Sequence, residues 1–85
     1  MTSWDDLWSG AALGQYEKLS AEARRQVEAT VRQICAEPGG VGVAIGGETP
    51  RSRPIYAARA GSVLVLYQLD TIGEMVHVVR LDDCG

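Results

Sequence analysis

Three residue types are scarce or missing in this 85-residue chain: it has two cysteines, one histidine and no phenylalanine. Cys35 and Cys84 are too few for a disulfide framework or a zinc site, and they read as inert thiols in a reducing compartment. The sequence spaces no cluster of metal ligands, so no metal and no other cofactor is expected. Long hydrophobic runs are missing too. The longest is Val63 to Tyr67, against the ~20 residues a bilayer span requires. Asp5 and Asp6 stand where a secretory signal would carry positive charge. The expectation is a cytoplasmic protein without a membrane segment. A basic excess is absent as well: the net charge is −3, which argues against strong, sequence-blind nucleic-acid binding by the whole surface. Gly39, Gly40, Gly42, Gly46 and Gly47 lack the spacing and the lysine of a phosphate loop.

What remains is the composition of an ordinary globule, 46% apolar and 22% charged, and not of a disordered tail. The length admits one domain, residues 1–85. A domain this small buries only about 60–65% of its unfolded surface, so its core must be compact. Charge is unevenly spread. Arg51, Arg53 and Arg59 face a single carboxylate, Glu48, within residues 41–62, while both flanks are acidic.

Trp4 to Trp8 reads as a short edge strand or an irregular lead-in. Ala12, Tyr16 and Leu19 recur at helical spacing after Ser9, weakened by Gly10 and Gly14 at roughly 1 kcal/mol each. Ser20 then caps the clearest element. In it Ala23, Val27, Val31, Ile34 and Cys35 form one apolar stripe, with Arg24, Arg25, Glu28 and Arg32 opposite. Glu28 and Arg32, four apart, are placed for an exposed ion pair. Pro38, Gly39 and Gly40 end the helix, and with almost no linker at Leu19–Ser20 the two helices should form a tight hairpin. After residue 40 the period becomes two. Val41, Val43 and Ile45 alternate; Ile55 to Ala60, Val63 to Leu69 and Met75 to Leu81 read as further strands. The middle run is apolar enough to lie centrally. On the last strand, strict alternation puts Met75, His77, Val79 and Leu81 on one face and Val76, Val78 and Arg80 on the other. The predicted fold class is α+β, an N-terminal helical hairpin packed on a three- to four-stranded antiparallel sheet.

This order of elements resembles the RelE/ParE family of toxins from toxin–antitoxin pairs. Trp8, Ser9, Ala12 and Leu13 stand like the family's aromatic–Ser–x–x–Ala–Leu opening. Leu19, Ser20, Ala23, Arg24, Arg25, Val27 and Ile34 stand like its arginine-bearing helix, and Pro38 like the proline that follows. Over Tyr56 to Tyr67 the family often shows Tyr–Arg–x–Arg–x–Gly–x–Tyr–Arg–x–x–Tyr, and Tyr56, Arg59, Gly61 and Tyr67 match without a gap. The resemblance implies a toxin that acts on translation by ribosome-dependent mRNA cleavage, or on DNA gyrase, and that a cognate antitoxin neutralises. It marks Arg59 as the candidate catalytic residue, and Arg51, Arg53, Arg59, Tyr56, Tyr67 and Arg80 as candidate contacts to RNA or another target. The nuclease branch stabilises charge on phosphate with fixed cations. Here Ala57 and Leu64 replace two of them, and Asp82, Asp83, Cys84 and Gly85 stand where the family often supplies Arg and Tyr. That departure moves weight away from the nuclease branch and does not by itself establish gyrase as the target. It also motivates an alternative, a non-catalytic protein-binding or regulatory module of the same fold that could self-associate as a homo-oligomer.

Each candidate has a plainer reading. Arg59 could be solvated, or paired with Asp70 or Glu74 across the hairpin. Arg51 and Arg53 flank Ser52 in a loop that could clamp an anion or simply carry charge. His77 has a suitable pKa for acid–base work, but no titratable partner is placed beside it. Tyr56 and Tyr67 could stack on bases or bury their rings. Trp4 and Trp8 could anchor a protein partner or fill the core.

Overall fold

The computed structural model describes residues 3–46 and 54–83. Its elements run β1 (Asp5–Trp8), α1 (Gly10–Glu17), α2 (Ala21–Ala36), β2 (Val43–Ala44), β3 (Tyr56–Ala60), β4 (Val63–Asp70) and β5 (Met75–Asp83). The strands form one five-stranded sheet in the order β1-β5-β4-β3-β2. Both helices pack on one face of it, an α+β fold. The sheet exceeds the expected three or four strands because the short segment β1 adds a fifth at the edge. It is also not wholly antiparallel: β1 runs parallel to β5, with Asp5 opposite Met75 and Trp8 opposite Val78.

Both helices start where a serine can cap them. The Ser9 hydroxyl accepts from the Ala12 amide at 3.0 Å, and that of Ser20 from the Ala23 amide at 3.2 Å, each satisfying a first-turn donor. At the junction Arg24 donates to the carbonyl oxygens of Tyr16 at 3.2 Å and Glu17 at 2.5 Å. The first turn of α2 thereby closes the last turn of α1. The two helices lean on different strands: α1 on β5, and α2 mainly on β3 and β4. The predicted stripe of α2 is correct. Val27, Val31, Ile34 and Cys35 are buried, with Thr30 joining them. Fully burying a side chain such as Val27 or Ile34 contributes about 1.5–3 kcal/mol.

The sheet supplies Ala58, Ala60, Val63, Val65, Tyr67, Val76, Val78 and Leu81 to this core. β4 is central, as its apolar run predicts. Gly61 has φ +64° and Ser62 does not share a positive φ. Ala60 pairs with Val63, so Gly61–Ser62 is a two-residue hairpin of type II′ character, which needs glycine first. At the other end of β4 the Asp70 carboxylate accepts from the amides of Ile72 at 3.2 Å and Gly73 at 3.1 Å.

Strict alternation fails on β5. Leu66 pairs with Arg80, but Tyr67 pairs with Val78, so Val79 is an extra residue, a β-bulge. The bulge shifts the phase. Leu81 is buried with Val76 and Val78 beneath the helices, and Arg80 is exposed. The expected grouping of Leu81 with His77, and of Arg80 with Val76, is therefore corrected. The bulge also has a use: Ser9 donates its hydroxyl to the Val79 carbonyl at 2.7 Å, and its amide bonds the Val78 carbonyl at 2.9 Å. Beyond the end of β1, the Leu81 amide donates to the Gln15 side-chain oxygen at 2.9 Å. The parallel edge strand, the helix cap and the bulge thus form one connected unit.

Candidate functional site

Both helices cover the same side of the sheet, so side chains of the other period point away from them. In cross-strand register that face carries two rows. One runs from Arg59 on β3 through Leu64 on β4 to Asp82 on β5. The next runs from Val43 on β2 through Ala57 and Leu66 to Arg80. Beyond the bulge lie Gln68, His77 and Leu7. Val43 is 71% and Leu7 54% exposed, so the outer strands leave apolar side chains open to solvent.

Arg59 and Arg80 therefore share one face, diagonal to each other across β4. Two strand spacings and a two-residue offset separate their Cα atoms by about 12 Å, so two extended guanidinium groups can reach a common group. Their surroundings differ. Arg80 pairs with Asp82 at 3.0 Å, which offsets its charge. Arg59 is exposed and meets no partner among the described residues. Its pairing with Asp70 or Glu74 is excluded by register: Arg59 lies opposite Leu64, and six residues of β4 separate that point from Asp70, about 20 Å. Arg51 and Arg53 lie outside the described residues.

The tyrosines belong to the other side. Tyr56 and Tyr67 pair across β3 and β4 and stack with centroids 5.6 Å apart and planes 19° apart. Tyr67 is fully buried, so it is core and not a surface for a target; Tyr56, half-buried, packs against the same core. The Tyr67 hydroxyl lies against the Gly42 backbone without a well-directed hydrogen bond. Burial pushes its pKa above the ordinary 10.0, opposed by the Gly42 backbone dipole and reinforced by Tyr56.

The helix side holds a second feature, which sequence spacing did not assemble. A cleft of about 480 Å³ opens between β1, α1 and α2, lined by Trp4, Trp8, Tyr16, Cys35, Asp6 and Glu28 among others. Trp8 meets Tyr16 edge-to-face at 5.4 Å, and its indole N–H donates to Asp6 at 2.6 Å. The Arg24 guanidinium lies 5.5 Å from the Tyr16 ring centroid. Burial raises the Tyr16 pKa, and a hydrogen bond to Glu28 raises it further. Glu28 thus engages Tyr16; the ion pair with Arg32 that their spacing suggested does not form. Cys35 is buried. Burial first, then the Asp6 and Asp5 carboxylates, push its pKa up, so the thiol stays protonated at neutral pH and is no nucleophile. The signal for this cleft was the pair of tryptophans, one at each end of a segment too short to bury both.

Among the described residues no three His, Cys, Asp or Glu side chains are grouped to hold a metal ion, and no helix is long and apolar enough to cross a membrane.

No family model and no curated protein matches the sequence. Solved structures do. A chain of the toxin–antitoxin complex RelBE2 from Mycobacterium tuberculosis superposes with a TM-score of 0.82 at 23% identity, covering 98% of this chain and 93% of that one. The isolated RelE toxin of E. coli gives 0.77 at 15% identity, covering 98% and 86%. A chain of the archaeal RelE–RelB complex from Pyrococcus horikoshii gives 0.76 at 15%, covering 98% and 97%. The chain has the RelE fold over nearly its whole length.

Proposed function

We propose that this chain is the toxin half of a toxin–antitoxin pair, and that its helix-free sheet face is the surface it presents to a target. One observation carries the reading: the RelE fold extends over nearly the whole chain, and on its helix-free face Arg59 is exposed with no counter-ion among the described residues. A cation so placed suits a phosphate or a partner's carboxylate, because an arginine fork binds either in two-point geometry. The cognate partner would be a small antitoxin that covers this surface.

The same face argues for binding over RNA cleavage. Phosphodiester attack develops charge that several fixed cations must meet. Here Arg59 is flanked by Leu64 along its row and Ala57 along its strand, and Arg80 is held by Asp82. Inhibition of a protein such as DNA gyrase, or a purely protein-binding role, fits that face better than a nuclease.

Induction of the chain alone in a bacterial host tests the proposal. Growth should stop, and co-expression of the antitoxin encoded beside it should restore growth. Arg59→Ala should relieve the arrest while the protein still accumulates folded. Primer extension on ribosome-bound mRNA should show no new cuts. Unchanged growth with abundant folded protein would overturn the toxin reading, and codon-positioned cuts would overturn the non-nuclease mode.

A further inference from the structure

The cleft on the helix side points to a second binding site, remote from the sheet face and independent of the toxin reading. Its walls are aromatic: Trp4, Trp8 and Tyr16 line it, over a floor that includes Val31 and Cys35. Two carboxylates, Asp6 and Glu28, stand at its rim. Asp6 accepts from the Trp8 indole N–H at 2.6 Å, and Glu28 lies beside the Tyr16 hydroxyl. Arg32 is the one cation among the lining residues, which leaves the lining net negative. Rings with negative faces beside carboxylates attract a planar or rounded organic cation. The fold already holds one such contact: the Arg24 guanidinium lies 5.5 Å from the Tyr16 ring centroid, from outside the cleft lining. The volume, about 480 Å³, is within the roughly 300–1,000 Å³ of ligand pockets and exceeds what one side chain fills.

We infer that this cleft receives an arginine of a partner polypeptide, its guanidinium between the indole rings and the Asp6 and Glu28 carboxylates. A neighbouring apolar side chain of the same segment rests on Val31 and Cys35. Arginine fits better than lysine because a flat guanidinium can stack and bridge carboxylates together, whereas an ammonium is a compact, strongly hydrated point charge.

The test uses the whole chain and a blocked Leu-Gly-Gly-Arg peptide, with citrulline- and lysine-containing counterparts. Indole N–H resonances of Trp4 and Trp8 report the cleft. The arginine peptide should shift both in a saturable way, and the citrulline peptide, its neutral isostere, should bind at least fivefold more weakly. Asp6→Asn with Glu28→Gln keeps an acceptor for Trp8 and Tyr16 but removes both charges, and should weaken arginine binding fivefold or more. Glu17→Gln with Glu22→Gln makes the same charge change outside the cleft and should leave binding unchanged. Equal binding of the citrulline peptide, unmoved indole signals at tens of millimolar peptide, or equal loss in the two charge variants would each overturn the site. Lysine binding as tight as arginine would overturn the guanidinium assignment.

Discussion

Tyr67 is the place where the packing argument can be tested most sharply. Its ring is fully buried and stacked on Tyr56, yet its hydroxyl has no satisfied hydrogen bond. An unmade buried hydrogen bond costs about 1–3 kcal/mol. Tyr67→Phe keeps the ring and its stacking and removes the orphan group, so the fold should gain about 1 kcal/mol at neutral pH, or roughly 4–8 °C in Tm for a domain of this size. The crowding comes from Gly42. A Cβ there would fall 2.9 Å from the Ala57 carbonyl oxygen and press on the hydroxyl itself. Gly42→Ala should therefore cost about 1–3 kcal/mol as overpacking. Combining it with Tyr67→Phe should recover part of that cost, because the two residues are in contact. Urea unfolding of the four proteins measures the cycle. A loss of more than about 1 kcal/mol in Tyr67→Phe would show that the hydroxyl holds a good hydrogen bond, and additive single effects would show that Gly42 and the phenol do not share space.

The same residue sets a pH dependence. Burial raises the folded pKa of Tyr67 above the ordinary 10.0, so the folded state holds this proton more tightly than the unfolded state. The stability tied to it is fully present below pH 10 and is lost as pH rises through the higher folded value. Tyr67→Phe should flatten that alkaline decline, leaving the shares that Tyr16 and Cys35 contribute through their own upward shifts. Curves that fall in parallel above pH 10 would refute the assignment.

Other outcomes follow from particular contacts. Ser9→Ala removes both the cap on Ala12 and the bond to the bulged Val79 carbonyl; thermal melts should show a loss of about 1–2 kcal/mol, and hydrogen exchange at Leu81 should quicken as α1 loosens from β5. Glu74 holds φ +52°, a conformation that disfavours most side chains; Glu74→Asn should stabilise by a few tenths to about 1 kcal/mol in denaturant titrations. Arg59→Ala should leave stability within about 0.5 kcal/mol, which separates any relief of growth arrest from loss of the folded protein.

Local signals in the sequence carried the helices and the central strand, because those elements are decided by neighbours in the chain. The Ser20 cap, the stripe from Val27 to Cys35 and the apolar run of β4 each express a period that no distant contact altered. The Gly61–Ser62 turn is equally local. What was illegible depends on partners far along the chain. β1 is a strand only because β5 offers it an edge some seventy residues away, and four residues ending in tryptophan carry no mark of parallel pairing. The bulge at Val79 is a mismatch between two strands, so neither strand alone encodes it, yet it moves Leu81 into the core and Arg80 out. That single inserted residue sets the chemistry of the open face. Without it, alternation would put Arg80 beneath the helices and His77 in line with Leu81. With it, Arg80 joins Arg59 on the helix-free side, where Asp82 captures it and Arg59 is left as the cation without a partner among the described residues. The same bulge frees the carbonyl that Ser9 binds, so the device that distributes charge on one face also seats α1 on the other.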